Sequence, residues 1–513
     1  MIRNLNLYNS VNVIILIFFS FLINFYYSNI GVLPQDTFAY YDTGYRILNG
    51  AVPFKDYWTV SGPVIDYIQS IFFYFFGVNW KVYTLNGSVV NCLITLTLYF
   101  LLKTYKLKRG LNFFYCICFS VLANPSMGVA FPDHYSTFFS LIAVFLFLIA
   151  LKLEKKFLWY LIPFAFFLAF FSKQSPSSYI FISTLFLMLF YIIYFKKIKF
   201  LKYLILTSVG CIFTFVLFIY MNKISFELFL NQYFLFPQTI ASERLKEYQF
   251  TFNNIIFNFK FIYILLFLTI FLLFLKIKYT KKIDETILVS FSLILISISL
   301  IFHQIITKNF IYIFFLIPLL ASFLHLHEFK MKQNEKLISI FLILFTIFCT
   351  FKYHLRFNES RKMLNLENVD LNSTIDAETI HLSLKGLNWT TKKFENNTNL
   401  EIENLKKSIE IIKNDNSKKM IETNYLFFSA IVNEDLNNPS RWPTLGDASN
   451  PNFDNEYHIF YKEFIDKLVE KKDIKSIYST FNNQENIFFN FNKNCKSSEL
   501  VENFLYKLDL TKC

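Results

Sequence analysis

Residues 11–27, VNVIILIFFSFLINFYY, run straight into residues 28–63, SNIGVLPQDTFAYYDTGYRILNGAVPFKDYWTVSGP. The first stretch is apolar and long enough to cross a bilayer as a helix. The second is polar and aromatic and is broken by Gly and Pro, so the chain leaves the lipid there. Beyond this loop the chain returns, and apolar runs of 15 to 20 residues recur as far as residue 351. Inside lipid every backbone N–H and C=O must find a partner within the protein, which a helix provides. The pattern predicts a polytopic α-helical membrane protein whose chemistry sits where the chain emerges, first of all in an outer loop spanning residues 28–80.

Composition agrees. The 513 residues are 54% hydrophobic and 17% charged, with a mean hydropathy of +0.40, whereas a soluble chain carries about 25% charged residues. The 68 phenylalanines, with abundant Ile, Asn and Lys and scarce Gly and Ala, read as the imprint of an AT-rich genome rather than of function. A formal charge of +13 would suit nucleic acid or acidic lipid. The basic residues, however, gather in short loops on alternate sides of the spans, as topology signals do, so nucleic acid is not expected as a partner. No small-residue cleavage site follows the first apolar segment, which reads as a retained anchor.

Eleven spans are expected: Val11–Tyr27, Val82–Leu102, Leu111–Ala123, Thr137–Leu151, Phe157–Phe171, Tyr179–Phe195, Tyr203–Met221, Phe259–Leu275, Thr286–Phe302, Phe310–Leu324 and Leu337–Phe351. The third and fourth are short for a hydrocarbon core of about 30 Å and could form a re-entrant pair. With a cytoplasmic N-terminus, the inner loops hold clusters such as Lys103, Lys106, Lys108 and Arg109, or Lys196, Lys197, Lys199 and Lys202. The longer outer loops hold about half as many cations. The positive-inside rule then places the N-terminus inside and the C-terminus outside the membrane. Within the first loop, PVIDYIQSIFFYFFG (63–77) has apolar residues at helical spacing, with Pro63 suited to a first turn and Gly77 to a stop; it reads as a helix lying along the outer interface. After Phe351 the composition turns polar. Helical periodicity at 400–415 and 458–472, alternating with strand-like 419–428 and 474–480, predicts a small α/β extracytoplasmic domain over 352–513, following a transmembrane domain over 1–351.

Carboxylates just beyond the first span are the leading candidates for chemistry. Asp36, in PQDTFAYYDTG, can act as general base toward an acceptor hydroxyl or bind a divalent metal. The competing reading makes Asp36 the N-cap of a helix running from Thr37 toward Leu48. Asp42 and Asp56 are further candidates for substrate binding, or solvated loop residues, with Asp56 able to pair with Lys55. Asp133 and His134, in FPDHYS, could orient a substrate or ligate metal; otherwise they form a polar loop apex. Lys173 and Gln174 end the fifth span on the outer side, where a cation is out of place by the topology rule. An anionic partner such as a lipid phosphate is one reading, snorkelling to ordinary headgroups the other. Arg244 is a second, weaker candidate for that role. His303 and Lys308 carry no assignment. Almost no charged residue lies mid-span, which argues against a transporter or flippase.

The pattern of an anchor helix, an early Asp, then Y-x-x-G-Y-x-I-L-x-G-x-V-P-F-x-D-Y-W and G-P-x-x-D-Y resembles membrane glycosyltransferases of the GT-C superfamily, and is most similar to the bacterial branch related to protein mannosyltransferases and lipid A aminoarabinose transferases. Here the motif runs through Asp36, Tyr40, Gly44, Gly50, Pro53, Asp56, Gly62 and Pro63. The resemblance implies a polyprenyl-phosphate sugar donor reached from the outer leaflet, membrane lipid as surroundings, and a glycan, lipid or protein acceptor. It makes Asp36 the catalytic base. The chain departs from the pattern in having Gln35 where a second acidic residue would stand beside Asp36, and metal dependence is left open by that change. A polymerase or ligase of surface polysaccharide is the alternative; it would rest on arginines in large outer loops, and only Arg46 and Arg244 are on offer. Finally, of seven cysteines, only Cys495 and Cys513 lie in the polar tail, where an oxidising compartment would let them close a disulfide.

Overall fold

The computed structural model describes residues 2–123, 128–248, 251–280, 283–307, 313–326, 335–360, 362, 366–443, 449–480 and 498–512. Among the described residues, eight helices are long and apolar enough to cross a membrane: Ser10–Ser28, Trp80–Thr104, Pro132–Leu153, Gln174–Tyr194, Lys199–Met221, Phe252–Thr280 (with a short irregular start), Glu285–Thr307 and Lys336–Ser360. The protein is therefore a polytopic helical membrane protein. Three further expected spans are shorter helices, Arg109–Ala123, Lys156–Phe170 and Leu316–Leu326. The fourth expected span is not short: it begins at Pro132 rather than Thr137 and runs 22 residues, because a proline at the first helical position needs no N–H partner. Cys495, Cys513 and Lys308 lie outside the described residues.

Polar side chains tie the helices together where hydrophobic burial cannot, since lipid is as apolar as Leu. Asn24 Nδ2, on the first helix, donates to Ser88 Oγ at 3.1 Å and to the Gly128 carbonyl at 2.9 Å. Asn91 Nδ2 reaches the carbonyls of Ser20 at 3.0 Å and Ser120 at 3.2 Å. Tyr135 OH donates to Asn86 Oδ1 at 2.6 Å, and Asn86 Nδ2 to Gln69 Oε1 at 3.0 Å. Pro132–Leu153 is the central helix, with 83% of its most apolar stretch buried, against 6% for Lys199–Met221 at the periphery.

The helix expected along the interface forms over Val64–Phe76, stopped by Gly77 at φ +86°. Its polar residues Asp66, Gln69 and Ser70 are buried against protein, while Ile71, Tyr74, Phe75 and Phe76 are exposed. That is the inverse of a soluble amphipathic helix and suits a lipid-facing apolar stripe. Two glycines allow the first loop to pack this closely. A Cβ at Gly44 would come within 2.7 Å of Gln69 Cγ, and one at Gly62 within 1.9 Å of the Phe171 carbonyl oxygen. The second approach seats the loop on the end of Lys156–Phe170, next to Lys173.

After residue 360 the described residues form a two-stranded ladder, β1 (Ile375–Asp376) with β2 (Asn388–Trp389), and four more strands: β3 (Lys419–Glu422), β4 (Ser476–Ser479), β5 (Ser498–Glu502) and β6 (Leu505–Asp509). The latter form one sheet in the order β3-β4-β6-β5, parallel between β3 and β4 and antiparallel elsewhere. A parallel pair needs a long crossover, which contains the helix His458–Lys472. The other expected helix spans Thr398–Asn414, its N-cap Asn397 accepting from the Leu400 N–H. Trp58 of the first loop and Phe236 lie in one buried core with Met420, Tyr461, Phe464, Ile465 and Ile477. The C-terminal region is thus packed on the first loop rather than tethered beside it.

Candidate functional site

The first loop, the ends of several helices and the C-terminal region meet at one end of the helix bundle. The one-turn helix Pro34–Thr37 carries Asp36. It is separate from the next helix, Ala39–Leu48, whose N-cap is Phe38 with no side-chain cap bond. The N-cap residue of that helix is therefore Phe38 and not Asp36. The half-buried Asp36 instead lines a cavity of about 650 Å³, together with Asp133, Lys173, Gln174, Arg244 and His303. Aromatic and aliphatic side chains, among them Phe131, Phe170, Tyr179, Phe234 and Ile306, supply its apolar wall. Trp442 and Ser449 come to it from the C-terminal region.

Asp133 and His134 are not at a loop apex. They occupy the first turn of Pro132–Leu153, where each is at most 2% exposed. A buried carboxylate needs a counter-charge, and Asp133 has one. Lys173 Nζ stands 2.9 and 2.8 Å from its two oxygens, and His303 Nε2 is 2.7 Å from Oδ1. The other ring nitrogen of His303 is 2.8 Å from Ser175 Oγ. The anion that Lys173 holds is thus a carboxylate of the chain itself. His134 does not line the cavity; its ring packs between Phe131 and Phe138. The carboxamide of Gln174 is committed as a brace, its Nε2 donating to the carbonyls of Val60 (2.9 Å) and Tyr233. It joins the first loop to the turn Asn231–Leu235, which precedes the helix Phe236–Glu247 bearing Arg244. Among the described residues Arg244 makes no ion pair, so of the two cations it is the less committed.

Asp42 and Asp56 lie away from the cavity. Asp42 is buried 3.9 Å from Arg46, and burial pushes its carboxyl up to about 6 despite that neighbour. Asp56 binds Lys471 at 3.0 Å and accepts the Val52 N–H at 3.0 Å. Burial opposes its charge, but these bonds outweigh it and hold the carboxyl below its usual range. Lys55, its expected partner, donates to the Asn222 carbonyl. Arg46 is enclosed, with Nε 2.8 Å from Asp435 and Nη1 donating to the Asn438 carbonyl at 2.7 Å. Arg441 is likewise sealed: its guanidinium pairs with Asp66, both side chains having no exposure, hydrogen-bonds Ser61, and lies 4.8 Å from the Tyr40 ring centroid. Backbone bonds from Trp58 N–H to the Pro439 carbonyl (2.8 Å) and from Arg441 N–H to the Trp58 carbonyl (3.0 Å) complete the strap.

Sequence reasoning missed His303, Trp442 and Arg441. His303 meets Asp133 across 170 residues and Arg441 meets Asp66 across 375, and no local pattern announces either pairing. Among the described residues, no group of three or more His, Cys, Asp or Glu side chains could hold a metal ion. Both oxygens of Asp133 are already engaged by Lys173 and His303. No protein-family model matches the chain, and none of the curated proteins matches it.

Proposed function

We propose that the chain is an integral-membrane glycosyltransferase of the GT-C type, with eleven spans and its C-terminal region outside. It would move a sugar from a polyprenyl-phosphate donor to a glycan, lipid or protein acceptor at the outer face of the bacterial cytoplasmic membrane. The observation that carries this reading is the shared cavity: a first-loop carboxylate, Asp36, and a cation, Arg244, line one apolar-walled space at the ends of apolar helices. An amphipathic, anionic donor needs that combination, with an apolar wall for its chain and fixed positive charge for its phosphate.

The reaction is a single displacement. The acceptor hydroxyl gives its proton to Asp36 as its oxygen bonds to the anomeric carbon. The bond from that carbon to the phosphate oxygen breaks, and polyprenyl phosphate leaves with the electron pair. Arg244 offsets the charge that develops on the leaving phosphate. Lys173 is neutralised by Asp133, which His303 also bonds, so among the described residues Arg244 is the uncompensated cation of the cavity. The brace from Gln174 fixes the first loop against the Arg244 helix, so base and cation keep their separation.

The test is Asp36→Asn. The change keeps size but removes the proton acceptor, so sugar transfer, read by mass analysis of surface glycans and lipids against a deletion strain, should fall at least about 10²-fold. Abundance and thermal stability should change little, because Asn keeps the size of Asp and caps helix ends about as well. Near-normal transfer by a well-expressed Asp36→Asn protein removes Asp36 from the mechanism and the reading with it.

A further inference from the structure

A second cavity, of about 570 Å³, shares Gln35 with the first and is walled on that side by Val32, Leu33 and Pro34. The residue next to Gln35 is Asp36. Its other wall comes from the C-terminal region: Thr391, Lys393, Glu401, Asn424, Tyr425 and Thr480. The two walls form one hydrogen-bonded unit, since Gly31 N–H donates to the Asn388 carbonyl at 3.0 Å and Val32 N–H to the Thr390 carbonyl at 2.9 Å. Whatever sits in this second space is therefore held at a fixed position relative to the short helix bearing Asp36.

The chemistry of the cavity is specific. Glu401 is buried and held by three donors: Trp389 Nε1 at 2.9 Å, Thr391 Oγ1 at 2.8 Å and Tyr425 OH at 2.7 Å. A fixed carboxylate, hydroxyls and an amide stand beside the Tyr425 ring and the apolar Leu33, Pro34 and Leu366. Saccharides offer a matching mixture of hydroxyl edges and apolar ring faces. Charge narrows the class. Lys392 is paired with Glu395 at 2.8 Å, whereas Lys393 makes no ion pair among the described residues, its ammonium lying 5.3 Å from the Phe394 ring centroid.

We propose that this cavity is the acceptor site and that it takes an acidic saccharide, Lys393 receiving the anionic group while a hydroxyl reaches past Gln35 to Asp36. The proposal rests on the transferase reading and supplies the acceptor class that the reading leaves open. It also accounts for the C-terminal region, which builds most of the acceptor wall and contributes Trp442 to the donor cavity.

Binding without donor tests it. The full chain in lipid nanodiscs is titrated with a hyaluronan tetrasaccharide, which carries uronates, and with neutral chitotetraose, and followed by calorimetry. The acidic probe should saturate and bind at least fivefold more tightly than the neutral one. Lys393→Ala should weaken it at least fivefold and Lys393→Glu further, with unfolding temperatures unchanged. Lys467→Glu, on the exposed face of His458–Lys472 and outside this cavity, should leave binding as it was. Equal affinity for the two probes, no saturable binding, or loss through Lys467→Glu without loss through Lys393→Ala overturns the proposal. Binding is read without transfer, so its failure is distinct from an active Asp36→Asn protein, which would instead remove the transferase reading.

Discussion

Replacing Arg441 by Met should release the C-terminal strap from the first loop. Arg441 and Asp66 have side chains with no exposure at all, and the guanidinium also bonds Ser61 and covers the Tyr40 ring. Met keeps the length and apolar stem but leaves the Asp66 carboxylate buried without its counter-charge. Removing one partner of a buried pair costs about 3–5 kcal/mol. At about 1.4 kcal/mol per factor of ten, the locally opened state becomes roughly 10²- to 4 × 10³-fold more populated. Native-state proteolysis reads that population directly when opening and closing outpace cleavage. Arg441→Met in nanodiscs should therefore be cut within the C-terminal region some hundred-fold faster than wild type, with the helix bundle intact. The double variant Arg441→Met/Asp66→Leu should recover most of the loss, because an apolar pair of similar volume replaces a buried ion pair at little net cost. Wild-type cleavage rates for the single variant, or no recovery in the double, would refute the view that this pair holds the strap.

Three other outcomes are expected. Glu422, buried on β3, has its carboxyl pushed up to about 8 by burial. A folded value above the unfolded one favours folding while the group is protonated, so this contribution is complete below about pH 4.5 and is lost as pH rises through about 8, by on the order of a few kcal/mol; Glu422→Gln should flatten that part of the stability–pH curve measured by denaturant unfolding. Gly62→Ala would drive a Cβ to within 1.9 Å of the Phe171 carbonyl oxygen and should lower the unfolding temperature and transfer together, whereas Gly210→Ala, with open space around it, should do neither. Alkaline phosphatase fused after Leu366 should be active and a fusion near Lys278 silent, as the lysine distribution requires; the reverse pattern would place the cavity on the cytoplasmic side.

The sequence alone determined what depends on neighbours in the chain. Runs of apolar residues set the membrane class, because the bilayer imposes length and polarity on each segment separately. The spacing in 63–77 located the helix Val64–Phe76 with its Gly77 stop, and periodicity located both C-terminal helices and strands β3 and β4. Asp36, Lys173, Gln174, Arg244 and Asp133 were legible as polar residues out of place near helix ends. Tertiary structure decided their meaning. It brought those five to one cavity and gave Asp133 both Lys173 and His303 as partners. It sealed Asp42 and Asp56 into ion pairs with Arg46 and Lys471, and started a span at Pro132 so that Asp133 became a buried helix residue. The pairs of Asp66 with Arg441 and of Asp133 with His303 join residues 375 and 170 positions apart. A buried charge requires a partner, but chain order does not say which one, and only packing brings the two together.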